Sequence, residues 1–195
     1  MISFSSFSDE LQKIARVVAL SGGAGAGKTT LSNRLGDQFD KVVHGDTWGV
    51  KVDEKGVRRP VDKTPEQKAK IFARRMKEVR KLDAQGKNVL VEGVPNVILN
   101  HPGLMEMADE VIHIDVPYSA RLKSVMHRTK TQNEISPRLR DLGWIAKEHA
   151  EQIKAAPKLR REAGEKLTVV SRDDSWRHFG MEPPKFPLDV GKKIR

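Results

Sequence analysis

The stretch Gly22-Gly23-Ala24-Gly25-Ala26-Gly27-Lys28-Thr29 decides how this sequence of 195 residues folds. It fits the pattern G-x-x-x-x-G-K-[ST], in which glycines let the backbone turn so that successive N–H groups surround phosphate oxygens. The apolar residues 17–20 before it predict a strand, and the residues from Thr30 onward predict a helix whose N-terminus adds partial positive charge. The stretch therefore predicts a phosphate-binding loop; a glycine-rich turn that happens to contain Lys-Thr is the alternative.

Each residue of this loop has a predicted role in holding a nucleotide. Lys28 would reach the β- and γ-phosphates, and the Thr29 hydroxyl would ligate Mg²⁺. ATP and Mg²⁺ are thus the predicted cofactors. The predicted cofactor-binding residues are Gly22, Gly23, Ala24, Gly25, Ala26, Gly27, Lys28, Thr29 and Thr30.

Short apolar runs alternate with longer helical patterns, which predicts an α/β fold with a central parallel sheet of about five strands. The predicted strands are residues 16–20, 41–44, 88–92, 111–115 and 167–171. No repeat or domain boundary is visible, so a single domain over residues 1–195 is expected, with its core at about 15–171. Residues 172–195 contain three prolines and predict an extended tail without chemistry.

Helix signals support this alternation. Thr64, Pro65 and Gln67 form the pattern of an N-cap, a first-turn proline and a capping box, so a helix is predicted over residues 65–85. Gly86 fits its C-terminal stop. Further helices are predicted after Ser119 and over about 142–154. The residues predicted to face the core are Phe72, Met76 and Val79 in the first of these helices, and Leu122, Val125 and Met126 in the second.

Three carboxylates follow predicted strands, at the edge where ligands collect in such sheets. Asp46 is the predicted general base, beside the γ-phosphate and able to accept a proton from an acceptor hydroxyl. It is also a candidate Mg²⁺ ligand. Glu92 is the predicted Mg²⁺ partner, directly or through water. Asp115 precedes Val116-Pro117, so a turn or cap is at least as good an explanation for it.

The order of these motifs resembles the P-loop kinases of small metabolites and nucleosides. The Gly22–Thr29 loop, His44-Gly45-Asp46 and Val91-Glu92-Gly93 are similar to uridine kinases and nicotinamide riboside kinases. Gly45-Asp46 also resembles the Gly-Asp pair of gluconate and adenylylsulfate kinases. The resemblance covers roughly residues 15–170 and implies a three-layer P-loop NTPase fold, nucleoside/nucleotide kinase-like, with a lid. The chain departs from the uridine kinase pattern at Gly45 and Trp48.

The resemblance assigns the lid to about residues 128–142, where arginines would close over the transferred phosphoryl group. Arg128 is the first candidate for a catalytic cation, with Arg138 and Arg140 behind it. Arg121 lies seven residues before Arg128, hence on the same helix face. A solvated basic helix and loop would explain these residues equally simply.

A second basic segment would hold the acceptor. Arg58, Arg59 and Arg75 could bind an acceptor that already carries phosphate, as could Arg74. Trp48 could stack on a base or sugar, or pack in the core.

Charge and composition limit the remaining possibilities. The chain has 36 basic and 26 acidic residues, for a net charge of +10, and no cysteine, so disulfides and thiolate metal sites are excluded. Positive charge is concentrated in residues 51–81 and 121–161, each with a net charge of +7.

No apolar run approaches the ~18 residues of a membrane span, and no secretory signal is visible, so a soluble cytoplasmic protein is expected.

Three functions remain open at this point. The first is an ATP- and Mg²⁺-dependent kinase that phosphorylates a hydroxyl or phosphate of a nucleoside, nucleotide or similar small metabolite. The second keeps that chemistry but acts on DNA or RNA, as the two basic segments suggest. The third is a nucleotide-dependent switch, since residues 46–49 fit a D-x-x-G pattern, although no N-K-x-D motif follows. The sequence does not give the oligomeric state.

Overall fold

The computed structural model describes residues 16–45, 50–52, 58–60, 63–131 and 142–183, with side chains for all of these but 50–52, 58–60, 127–131 and 142–145. Seven strands occur within these ranges. They are β1 (Val17–Gly22), β2 (Lys41–His44), β3 (Val50–Val52), β4 (Arg58–Pro60), β5 (Val89–Gly93), β6 (Glu110–Ile114) and β7 (Leu167–Val170). The five strands predicted from the sequence are all present.

Five of the strands form one parallel sheet in the order β2-β5-β1-β6-β7. Every residue of β1 and β5 is buried, while β2 and β7 at the edges are partly exposed. Continuous apolar runs are typical of strands covered on both faces, which explains why these segments could be recognised. The predicted α/β fold with a five-stranded parallel sheet is confirmed.

Seven helices connect and cover the strands in the described ranges. They are α1 (Lys28–Arg34), α2 (Pro65–Asp83), α3 (Pro95–Leu99), α4 (Leu104–Met107), α5 (Tyr118–Thr131), α6 (Leu142–Ala163) and α7 (Arg172–His178). Alternate residues of each inner strand point to opposite faces, so the sheet supports two separate apolar cores. One contains Val17, Met76 and Leu159 and lies under α2, α3, α4 and α6. The other contains Leu20, Leu31 and Trp176 and lies under α1 and α7.

Helix α2 begins with the predicted capping box. The Thr64 hydroxyl accepts from the Gln67 backbone N–H at 3.2 Å, and the Gln67 side chain accepts from the Thr64 N–H at 3.1 Å. Its predicted core stripe, Phe72, Met76 and Val79, is buried. Local sequence therefore fixes where this helix starts and which face it buries.

Two helices differ from the sequence-based expectation. In α5, Val125 is buried as predicted, but Met126 is 43% exposed, so the prediction that Met126 faces the core is wrong. Neighbouring helix residues are about 100° apart, and here only one of the two can face inward. Helix α6 continues past the predicted end, through Pro157, as far as Ala163.

The prediction of an extended tail from residue 172 is wrong for its first seven residues. These form α7, whose N-cap Ser171 accepts a hydrogen bond from the Asp174 N–H. Trp176 inserts into the core beside α1 and is only 5% exposed. The prolines later in this segment led to the prediction of an extended tail. A helix this short is stabilised mainly by tertiary packing, which its own sequence does not show.

The short strands β3 and β4 pair antiparallel, with Lys51 opposite Arg59 and Val52 opposite Arg58. This hairpin is not part of the predicted strand set. No helix within the described ranges is long and apolar enough to cross a lipid bilayer.

The buried position of Trp176 yields a prediction for α7. We expect Trp176→Ala to lower the free energy of unfolding by about 3–5 kcal/mol, because a large buried ring leaves a cavity. Urea denaturation followed by circular dichroism measures this. The control is Arg177→Ala, since Arg177 is 63% exposed and pairs with an exposed Asp174, so a change within ~0.5 kcal/mol is expected. Equal midpoints for the two variants would refute this account of α7. If Trp176→Ala does not fold, Trp176→Phe should give a smaller loss of the same sign.

Candidate active site

The loop between β1 and α1 has the geometry of an anion cradle. Gly25 and Gly27 have φ values of 79° and 97°, in the left-handed region that favours glycine. The Ala26 N–H donates to the Gly23 carbonyl at 3.0 Å, which closes the first turn. The loop leads directly into α1, where backbone N–H groups without helical partners face outward. We call residues Gly22–Thr29 the cradle.

Lys28 is buried against this cradle. Its ammonium group donates to the carbonyl of Gly23 at 3.1 Å, so the side chain folds back across the loop. An ammonium held there is positioned to bind an oxyanion that enters the cradle. This arrangement supports the predicted role of Lys28.

The carboxylate of Glu92 lies at the centre of the polar contacts beside the cradle. It is only 6% exposed and accepts from the hydroxyls of Thr29 at 3.3 Å and Ser32 at 2.7 Å. His44 Nδ1 lies 2.6 Å from the same carboxylate. Burying a carboxylate is costly unless several polar groups bind it, and Glu92 has three such partners.

Sheet register explains why these side chains meet. His44 of β2 pairs with Glu92 of β5, and Leu20 of β1 pairs with Glu92 on the other side. Thr29 and Ser32 are three residues apart on α1, so both can face the same strand end. His44 was named only within the His44-Gly45-Asp46 motif, with no role predicted for its side chain; its position as the last residue of a predicted strand was the available signal.

The donor set at Glu92 fits a magnesium ion. Mg²⁺ prefers oxygen ligands and is usually held by one or two protein oxygens together with phosphate and water. The Thr29 hydroxyl and the Glu92 carboxylate already lie within 3.3 Å of one another at the mouth of the cradle. The residues present therefore fit the predicted cofactor, with Thr29 and Glu92 as its candidate ligands.

Gly45, at the end of β2, is fixed by hydrogen bonds at both of its backbone groups. Its N–H donates to the carbonyl of Glu92 at 2.7 Å, and its carbonyl accepts from the Arg75 guanidinium at 2.7 Å. A side chain at this position would collide with the Glu92 carbonyl and Val97. The chain is thus held rigidly at the residue that precedes Asp46.

His101 lies beneath Gly45 and is buried. Its Nδ1 is 2.7 Å from the Val97 carbonyl, so Nδ1–H donates, and its ring lies 4.3 Å from that of Phe72. Burial lowers the pKa of His101 from 6.5 to about 4; the nearby Arg75 charge adds to this, and the Val97 hydrogen bond opposes it. His101 is therefore neutral at pH 7.

Side chains of α5 and α6 also contact one another beside the cradle. Arg121 is 3% exposed, donates to Gln152 Oε1 at 2.5 Å and contacts His149 Nδ1. Its guanidinium lies 3.6 Å from the Glu148 carboxylate, and Glu148 accepts from the backbone N–H of Ala24 at 3.1 Å. The sequence placed Arg121 on the same helix face as Arg128, but a buried ion pair cannot be predicted from one helix alone.

Arg172 contacts the cradle from the opposite end of the chain. Its guanidinium donates to the Gly25 carbonyl at 2.8 Å, and its methylene groups lie near Gly27. This residue belongs to the segment that was expected to carry no chemistry. Its role could not be predicted because α7 itself was missed.

The other predicted site residues divide into two groups. Asp115 is exposed, and its N–H donates to the Val170 carbonyl at 2.9 Å; α5 starts three residues later, so Asp115 is not its N-cap. Arg75 contacts Gly45, as described above.

Several predicted site residues lie outside the part of the chain that the structure describes. These are Asp46, Trp48, Arg138 and Arg140, together with the side chains of Arg58, Arg59 and Arg128. Their predicted roles, and the predicted lid at about 128–142, stay predictions.

Comparison with known families adds to this geometry. A family model described as an AAA domain matches residues 18–154, which include β1, the cradle and Glu92. The chain belongs to the AAA domain family. A search of curated protein sequences finds no match for this AAA domain.

Solved structures show the same fold at low sequence identity. Shikimate kinase from Acinetobacter baumannii in complex with shikimate has 15% identity and a TM-score of 0.55, with 95% of this chain and 99% of that chain covered. Shikimate kinase from Bacteroides thetaiotaomicron has 13% identity and a TM-score of 0.50, with coverages of 80% and 86%.

A chain of the Pnkp1/Rnl/Hen1 RNA repair complex also matches, with 18% identity and a TM-score of 0.54. The match covers 74% of this AAA domain but only 46% of that chain, so it spans less than half of the larger protein. These likenesses support the P-loop kinase fold that the motifs imply.

The buried His101 gives a prediction about pH. Its pKa is about 4 in the folded protein and about 6.5 when unfolded, so the unfolded state binds more protons between these values. Stability is therefore complete above pH 6.5 and is lost as the pH falls towards 4, by about 3 kcal/mol. His101→Gln keeps a donor for Val97 but does not titrate.

Urea unfolding at pH 4.5 and pH 7.5 tests this. We expect wild type to lose about 2–3 kcal/mol more than His101→Gln between the two pH values. The lowered pKa values of His113 and His149 contribute equally to both proteins, so they cancel in the comparison. Identical pH dependence for the two proteins would show that His101 is not responsible.

Proposed function

We propose that this protein is an ATP- and Mg²⁺-dependent kinase that transfers the γ-phosphate to a hydroxyl or phosphate of a nucleoside, nucleotide or similar small metabolite. The observation that carries the proposal is the buried Glu92 carboxylate, in contact with the hydroxyl of Thr29 at the mouth of the cradle. A purely structural glycine turn would gain nothing from a buried carboxylate beside it. A magnesium-bound triphosphate is commonly held by one.

Residues of the cradle and of β5 would bind the nucleotide and its metal ion. Backbone N–H groups of Ala24–Thr29 bind phosphate oxygens, and the Lys28 ammonium balances their charge. Thr29 and Glu92 would hold Mg²⁺, which would neutralise phosphate charge and help to orient the triphosphate. His44 contacts one Glu92 oxygen and so limits how that carboxylate can rotate.

Proton transfer is assigned to Asp46. The Arg75 guanidinium and the Glu92 carbonyl fix both backbone groups of Gly45, so the residue that follows starts from a rigid support. A carboxylate at that point could accept the proton of an acceptor hydroxyl as its oxygen bonds to phosphorus. The oxygen bridging the β- and γ-phosphates leaves with its bonding electrons, as part of ADP.

The charge of the chain supports a second acceptor class, a polynucleotide. The net charge of +10 and the two segments of +7 would attract a phosphate backbone. One structural neighbour belongs to an RNA repair complex, although at 18% identity. The small-metabolite acceptor remains the first proposal, because the shikimate kinases match nearly the whole chain or most of it. The finer resemblance to uridine and nicotinamide riboside kinases is part of this proposal.

The kinase proposal predicts the behaviour of two variants. Wild-type protein is incubated with labelled ATP and Mg²⁺ against nucleosides, nucleotides, shikimate, sugars and oligonucleotides. Lys28→Met should lower turnover of the best acceptor by about 10²–10³-fold, because a preorganised cation is lost. Asp46→Asn should keep ATP binding and lose turnover.

The control for these variants is Lys158→Met, which also removes one positive charge, from an exposed lysine of α6 paired only with Glu162 in the described contacts. Its turnover should equal that of wild type. Full activity in Lys28→Met or in Asp46→Asn would contradict the assigned roles.

A salt titration distinguishes the polynucleotide acceptor. Gel-shift assays with single-stranded RNA and DNA should show binding that weakens steeply as salt rises from about 50 to 200 mM, because counterions are released from the phosphates. Absence of any complex at about 50 mM salt would remove the polynucleotide acceptor and leave the small metabolite.

A further inference from the structure

One backbone amide of the cradle already holds an anionic oxygen of the protein itself. Glu148, in the first half of α6, is largely buried, and its Oε1 accepts from the Ala24 N–H at 3.1 Å. Ala24 is the third residue of the phosphate-binding motif. The carboxylate therefore lies against the surface on which the phosphates of a nucleotide would be held.

The charge of Glu148 is balanced by Arg121 rather than by solvent. The Arg121 guanidinium lies 3.6 Å from Glu148 Oε2 and packs directly on Gly23, where an added Cβ would overlap it. Gln152 Oε1 accepts a hydrogen bond from it at 2.5 Å. A buried cation thus lies beside the cradle with its charge neutralised by Glu148.

The His149 side chain completes the environment of Arg121. A guanidinium can only donate, so His149 Nδ1 accepts and the ring proton lies on Nε2. Burial, with a smaller contribution from the Arg121 charge, lowers the pKa of His149, and the ring stacks on Tyr118 at 4.6 Å. His149 stays neutral and does not replace Glu148 as a counter-ion.

Space for rearrangement exists next to these groups. A cavity of about 100 Å³ lies between the cradle, the end of β6 and α6, and its walls include Gly23, Arg121, His149 and Gln152. Side chains bordering an open cavity can change position without displacing the packed core. The Arg121 side chain, which is the counter-ion of Glu148, therefore borders space into which it can shift.

We propose that Glu148 is an internal anion that competes with the phosphates of the nucleotide for the cradle, and so sets how strongly binding depends on phosphate charge. The carboxylate and a phosphate oxygen cannot share the single N–H of Ala24, and like charges at this distance in a buried site repel. When Glu148 leaves, the charge of Arg121 is no longer neutralised and adds to the attraction for phosphate. This inference rests on the proposed nucleotide site.

Glu148→Gln tests the proposal, because the amide keeps an oxygen for Ala24 and loses only the charge. Equilibrium titration with Mg-ATP, Mg-ADP and adenosine measures the affinities. Glu148→Gln should bind ATP about tenfold more tightly than wild type, which equals ~1.4 kcal/mol, with a smaller gain for ADP and none for adenosine. A residue that merely braced the loop would not produce a gain that grows with phosphate number.

Glu151→Gln is the matched control, since Glu151 is an exposed carboxylate on the same helix, three residues away. It changes net charge equally and should leave all three affinities within about twofold of wild type. Glu148→Asp is the second variant, for use if loss of the Arg121 counter-ion prevents folding. It keeps the charge but shortens the side chain by one methylene, so ATP should again bind more tightly.

The outcomes distinguish failure of the role proposed for Glu148 from failure of the proposed nucleotide site. Wild-type protein that does not bind ATP overturns both. Wild-type protein that binds ATP, with variants that show no gain, an equal gain for adenosine or a weakened affinity for ATP, overturns the role of Glu148 alone. A gain ordered ATP, then ADP, then adenosine supports it.

Discussion

The hydrogen bonds to the buried carboxylate of Glu92 are the contacts on which the candidate site depends. They connect three elements that are far apart in the sequence: the end of β2 through His44, the end of β5, and α1 through Thr29 and Ser32. A buried carboxylate without these partners would be strongly destabilising. The cradle, Thr29, Glu92 and Gly45 are therefore held in one arrangement by hydrogen bonds.

The parts of the fold that could be predicted are those encoded by a few adjacent residues. The runs that form β1 and β5 are apolar throughout because both faces of the sheet are covered, and Thr64-Pro65-Glu66-Gln67 carries a complete helix start. The cradle was recognisable because glycine is needed where φ is positive, as at Gly25 and Gly27. In each case a few adjacent residues contain the physical requirement.

The parts that could not be predicted depend on partners distant in the chain. Arg121 is buried only because α6 supplies Glu148 and Gln152, about 30 residues later, so its own helix gives no sign of this. Trp176 and Arg172 belong to a seven-residue helix that gains its stability from packing on α1 and the cradle. Such pairings become visible only when the fold brings the elements together.

Buried and exposed charged side chains contribute differently to the net charge of this chain. Among the described residues, the buried lysine, arginine and acidic side chains are Lys28, Arg121, Glu92 and Glu148, two cations and two anions, so together they carry no net charge. The +10 of the whole chain must therefore come from the other residues, among them the exposed lysines and arginines of α2. Long-range attraction of a polyanion or a charged acceptor is a property of that outer surface. In the proposed nucleotide site, phosphate binding would depend instead on oriented backbone amides and on whether Glu148 neutralises Arg121.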